Sequence, residues 1–232
     1  MKKIYIALMT VVAVCTAISA VWAHSVTDDP YSKVKTYNDL VKLIADVPVG
    51  TQRFEEDIDA DKAFDKQLDI FHGNTLLSHY DVNVFIAKVK EKLTCTNDMY
   101  VQQVYIEKVI GGDQELADHD AEIASYKSMK YSDDGQALFS GCSFRNLMLP
   151  GERYLIFCEK AETSDYYKTP KYRALMTPFS CLAVDSDNIL PIQDEDTKYS
   201  DCVSREFLIK DQKTADVFME IKHRIIKEYM DS

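Results

Sequence analysis

Glycine is scarce in this chain, seven residues in 232, and tryptophan occurs once. So few glycines leave little material for a phosphate-cradling loop, and no such loop is present. The nucleophile elbow GxSxG and the zinc-binding HExxH are missing too, which removes the most recognisable hydrolase and metalloprotease signatures. No run of basic residues exceeds two, and the formal charge is −11. Nucleic-acid affinity rests on phosphates neutralised by Lys and Arg, so DNA and RNA are disfavoured as partners. No Asn-x-Ser/Thr sequon occurs, in keeping with a bacterial source.

What is present begins at the N-terminus. Lys2 and Lys3 precede twenty uncharged residues, IYIALMTVVAVCTAISAVWA, from Ile4 to Ala23. A positive start, an apolar stretch and small residues at its end predict export. The stretch is also about the length of a membrane span, and the two lysines would hold its short end in the cytoplasm. Residues 1–23 are therefore expected to be a cleaved signal peptide or a retained N-terminal anchor. The rest of the chain is expected outside the cytoplasm, secreted or tethered to the cell membrane by residues 4–23. Loss of the leader moves the formal charge to −13, since only Lys2 and Lys3 go.

The remaining 209 residues suffice for one good-sized domain with decorations. Residues 24–80 form a polar and acidic segment with helical signals. Thr36 followed by Asp39 reads as a capping box ahead of Leu40, Val41 and Ile44, and a second helix is expected around Ala63–Ile70. Residues 81–192 carry strand texture. Strands are expected at Val82–Lys92, Met99–Ile110, Gln136–Phe144, Tyr154–Glu159 and Tyr172–Val184, with a short edge strand at Ile189–Ile192. Residues 113–135 read as a polar excursion. Residues 193–232 form a C-terminal extension whose last helix bears Val217, Phe218, Ile221, Ile225 and Tyr229 on one stripe. Glu220, Lys222, Arg224, Lys227 and Glu228 are expected to face water. The fold class expected is mainly β with flanking helices (α+β): an antiparallel barrel of five or six strands with an amphipathic C-terminal helix packed on it.

Three runs carry a family resemblance: VNVFIAKV (82–89), VYIEKVIGGD (104–113) and LPGERYLIF (149–157). Their strand order resembles that of bacterial surface and secreted proteins with a netrin/TIMP-like OB-type β-barrel, over roughly residues 80–190. Metalloprotease inhibitors of the TIMP type place an N-terminal cysteine on the target's metal. A mature chain starting at Ala20 or His24 has no such cysteine, so that activity is not carried over.

Candidate chemistry is dispersed. Five cysteines follow the leader, Cys95, Cys142, Cys158, Cys181 and Cys202, an odd number with no CxxC. They read either as small buried hydrophobes or as including a disulfide, for which Cys158 and Cys181 are the candidate pair. Asp57, Asp59 and Asp61 resemble the opening of a calcium loop. Lys62 replaces its glycine, however, and Leu68 its final ligand, so an EF-hand is excluded and only a looser metal site stays open. Cleavage after Ala23 would expose His24, whose amine and imidazole together suit copper. His72 and His79 lack a third partner for zinc. No cofactor is expected beyond these calcium and copper options. Tyrosines are effective recognition residues, and the segment Thr163–Pro170 reads as an exposed hairpin loop. Tyr166 and Tyr167, with nearby Tyr172, form the candidate contact surface.

The function expected is an exported bacterial non-enzymatic binding or interaction module. Its partner would be an extracytoplasmic protein or small ligand, with the membrane touched only through the N-terminal segment. Two alternatives stand: a secreted hydrolase or metal-dependent enzyme with dispersed residues, and a structural envelope component.

Overall fold

The computed structural model describes residues 30–51, 59–73, 81–96, 98–127, 129–131, 137–139, 144–161, 171–194 and 196–230. Two compact units divide the chain, residues 1–33 and residues 34–232. In the first, Pro30–Lys33 form one 3-10 turn. The leader and His24 lie outside the described residues. Among the described residues, no helix is long and apolar enough to cross a membrane.

The second unit contains strands β1 (Val82–Cys95), β2 (Met99–Gly111), β3 (Asp120–Tyr126), β4 (Met129–Tyr131), β5 (Ala137–Phe139), β6 (Arg153–Lys160), β7 (Lys171–Ala174) and β8 (Cys181–Ala183). Its helices are α1 (Tyr37–Ile44), α2 (Ala60–Phe71), α3 (Tyr199–Cys202) and α4 (Gln212–Met230). Five strands close a barrel in the order β1-β2-β3-β7-β6, with β6 pairing back to β1 and β8 added along β6. This is an OB-like β-barrel.

The barrel is mixed, which corrects the antiparallel expectation: β3 and β7 run parallel, Ile123 facing Tyr172. Chain path explains the direction. After β3 the chain leaves for the β4–β5 hairpin, re-enters as β6 antiparallel to β1, and turns back as β7. It thereby arrives beside β3 in the same sense. Four further strand expectations change. The polar excursion contains β3, a full barrel strand. β5 sits in the small hairpin rather than in the barrel. Tyr172–Val184 is two strands, because the 3-10 turn Pro178–Ser180 interrupts it, as expected where a proline cannot donate to the ladder. Ile189–Ile192 forms no strand.

Strand alternation sorts two apolar layers. Inward residues Phe85, Ala87, Val104, Ile106, Ile123, Ile156 and Tyr172 fill the barrel. Outward residues Val84, Ile86, Leu155 and Phe157 meet α2 and α4, so β1 and β6 are apolar on both faces, as strands covered on both sides must be. Phe71 of α2 stacks on Phe157 at 3.7 Å between ring centroids, and Tyr229 of α4 meets Phe157 edge-on at 4.9 Å. Phe218 packs with Phe179 and Phe207 at 4.9 and 5.0 Å. The capping box of α1 is present, Asp39 N–H donating to Thr36 Oγ1 and Thr36 N–H to Asp39 Oδ2.

One residue of the C-terminal stripe departs from expectation. Lys222 does not face water; it is 1% exposed. Its ammonium donates to Glu206 Oε2 at 2.6 Å and to the Ser186 carbonyl, and lies 3.0 Å from Asp187. Glu206 Oε1 accepts the Ala183 amide at 2.9 Å. The pair fastens α4 to β8, and its polar groups are satisfied as burial requires.

Candidate functional site

The segment 144–148 crosses one end of the barrel. It is pinned by backbone bonds to the chain at 206–208, Asn146 N–H to the Glu206 carbonyl and Leu208 N–H to the Phe144 carbonyl. Phe144 adopts φ 71, an uncommon left-handed conformation for an aromatic residue. Asn146 then acts as a hub. Its amide donates to the carbonyls of Cys202, Val203 and Arg205, closing the end of α3, while its oxygen accepts from Tyr199 Oη at 3.0 Å. Gln102 of β2 clasps Met148 in both directions, donating to its carbonyl at 2.8 Å and accepting its amide at 3.2 Å.

Between these two fixed points lies Arg145, 3% exposed. Its guanidinium donates to the hydroxyls of Ser180 and, at 2.9 Å, Ser125. Among the described residues no carboxylate pairs with it. The Ser180 hydroxyl donates onward to the Thr177 carbonyl at 2.9 Å, so it meets Arg145 as an acceptor. A buried, uncompensated charge costs roughly several kcal/mol. Two neutral hydroxyls offset only part of that.

Arg145 lines a small cleft at the barrel end with Tyr100, Gln102, Ser125, Tyr126 and Phe139, closed below by Asn146, Leu147 and Met148. Its free volume is about 10 Å³, room for roughly one water-sized occupant. Among the described residues, the lining holds aromatic rings, amides, hydroxyls and one cation, and no carboxylate, imidazole or thiol. At the rim, Tyr126 Oη accepts from Arg173, which is itself paired with Glu159 at 2.7 Å.

The sequence candidates are scattered relative to this cleft. Tyr166 and Tyr167 lie outside the described residues. Tyr172 is buried inside the barrel, edge-on to Phe85 at 5.7 Å, and is not a surface contact. Asp57 lies outside the described residues. Asp59 caps α2, accepting from the Asp61 and Lys62 amides, while Asp61 turns to Arg224 at 2.7 Å. Arg224 in turn covers the Phe64 ring at 4.1 Å. The two carboxylates thus serve a helix start and a helix–helix contact. Among the described residues, no group of three or more His, Cys, Asp or Glu side chains is gathered to hold a metal ion.

Cys158 and Cys181, which the sequence offered as a disulfide pair, are buried on adjacent strands and are not bridged to each other. In the register, Cys181 faces Ile156, which sets Cys158 two residues along the same inward face. Burial pushes the Cys158 thiol well up, and that of Cys202 to about 12. Neither is a thiolate nucleophile near neutral pH. Burial likewise raises Tyr154 and Tyr199, whose hydroxyls serve Leu149 and Asn146 as structural bonds.

Arg145 was not among the sequence candidates. The signal available was a lone cation and amide, Arg145-Asn146, set between Phe144 and the apolar run Leu147-Met148-Leu149.

Fold and cleft together define an OB-like barrel with flanking helices and a polar end cleft. No protein-family model matches the chain, and no curated protein is significantly similar to it.

Proposed function

We propose that this chain is an exported, non-enzymatic binding module of a bacterium, its barrel of the netrin/TIMP-like type. Residues 4–23 deliver it, and it then works outside the cytoplasm, free or tethered, on a protein or small ligand. The observation that carries the reading is the lining of the barrel-end cleft. Among the described residues it combines aromatic and hydrogen-bonding side chains with a single buried guanidinium, and presents no carboxylate, imidazole or thiol to act as acid, base or nucleophile. Sites that orient and recognise are built from such groups.

The test is fractionation of cells expressing the full chain, N-terminal sequencing of the recovered protein, and metal analysis of it. Recovery outside the cytoplasm, beginning at Ala20, at His24 or with the leader intact in the membrane, with zinc and copper well below one per chain, is the expected result. Cytoplasmic recovery would overturn the export reading. Stoichiometric zinc or copper would overturn the non-enzymatic one.

A further inference from the structure

We infer that the barrel-end cleft is a binding site for a small singly charged anion, a halide or a single carboxylate group, centred on Arg145. The inference rests on the binding reading of this cleft and names its ligand chemistry. Four observations carry it. Arg145 is 3% exposed, yet both its recorded partners are serine hydroxyls, in a chain with 38 acidic residues available to pair with it. A buried guanidinium is ordinarily neutralised by a carboxylate, and among the described residues none is placed to do so, which leaves a bound anion to supply the countercharge.

The hydroxyl directions point the same way. Ser180 spends its proton on the Thr177 carbonyl. Ser125 and Tyr126 each accept from an arginine, so their own protons remain to be donated. Both line the cleft beside Arg145. A guanidinium with N–H groups beyond those two bonds and two hydroxyl donors make a set that suits an acceptor-only guest. Volume sets the size: about 10 Å³ admits something near a water molecule, the scale of chloride or of a carboxylate's leading oxygen, and rejects sulfate or phosphate. Charge sets the valence. The overall field at −11 opposes anions in general, so one cation with short-range donors is matched to one negative charge.

Chlorine-35 NMR of the full-length protein, in a HEPES buffer free of small anions, tests this. Chloride is expected to broaden saturably, acetate to displace it, and equimolar sulfate to leave it bound. Arg145→Met should weaken binding at least tenfold and Ser125→Ala severalfold. Should Arg145→Met fail to fold, Ser125→Ala and Tyr126→Phe, which keep the guanidinium, carry the test. A parallel thermal-unfolding titration separates the two sources. Stabilisation by chloride alone identifies a halide site, and stabilisation by acetate alone a carboxylate site; either upholds the inference if it depends on Ser125. Broadening that does not saturate, with no stabilisation by either anion, overturns it. So does binding that is equal in wild type, Ser125→Ala and Tyr126→Phe. These readouts are independent of export and of metal content, so failure here leaves the broader reading to its own test.

Discussion

Replacing Lys222 by Met is the sharpest probe of how the C-terminal helix is held. Methionine keeps the unbranched length and the helix propensity of lysine, so the change removes mainly the charge. What remains is Glu206, 8% exposed, with one oxygen on the Ala183 amide and the other facing the space where the ammonium was, 2.6 Å away. Removing one partner of a buried pair costs about 3–5 kcal/mol, because the survivor is left as an uncompensated charge. For a domain of this size that lowers the melting temperature by about 6–20 °C. The pH dependence fixes the cause. Burial raises the pKa of Glu206 above its ordinary value, and Lys222 opposes that rise. Without Lys222 the folded-state pKa climbs further, while the unfolded value stays put. A group with a raised folded pKa contributes stability fully below its unfolded pKa and loses it as pH rises through the folded one. The Met variant should therefore be closest to wild type in mild acid and fall behind as pH increases. Glu206→Gln added to it should recover most of the loss, since the countercharge is then no longer needed. Urea denaturation followed by circular dichroism, from pH 4.5 to 8, measures all three proteins. A loss below about 1 kcal/mol, or one of constant size across that range, would refute the reasoning.

Gly112 has φ +96, and a Cβ placed there would sit 2.3 Å from Asn83 Oδ1, which accepts the Asp113 amide. Gly112→Ala should cost about 1–3 kcal/mol in denaturant midpoint analysis; an unchanged midpoint would deny that the β2 end is strained into this shape. Asn146→Ala removes the donor to three carbonyls and the acceptor of Tyr199. A loss of at least about 1–3 kcal/mol is expected, with faster amide exchange around α3, whereas exchange spread evenly over the chain would argue against a local hub. Maleimide labelling with peptide mapping should mark half-buried Cys95 in the native protein, and Cys158, Cys181 and Cys202 only in denaturant. A Cys158–Cys181 peptide pair released only by reductant would contradict their lying unbridged.

Local signals were legible where neighbouring residues suffice to set the outcome. Thr36 and Asp39 are three residues apart, and their capping box formed as read. The apolar stripe Phe218, Ile221 and Ile225 packs on the barrel's outer face, because a 3.6-residue period survives whatever it packs against. β1, β2 and β6 were visible for the same reason. β3 was not. Its inward positions are Ala121, Ile123 and Ser125, with one large apolar side chain among them, and its outward Asp120 and Glu122 read as loop. Those carboxylates are tolerated because Lys90 and Lys92 of β1 reach past β2 to Asp120 and, at 3.6 Å, Glu122, and Lys171 of the adjacent β7 lies 3.3 Å from Glu122. Such pairs are made across the sheet and leave no trace in a local window.

The candidate site divides the same way. Asp59 and Asp61 share a spacing that suits calcium, yet one faces its own helix start and the other a residue 163 positions away. Tyr172 stands next to a polar loop in sequence and inside the barrel in space. Sequence alone determined the textures: helix at both flanks, strands between, the acidic balance, and the want of recognisable catalytic motifs. Tertiary structure decided which charges went inside. Whether Arg145 or Lys222 is buried depends on Ser125, Ser180 and Glu206, brought near from 20, 35 and 16 residues away. A long side chain can snorkel to water or turn inward with little local difference, so only the partners supplied by the fold choose between the two.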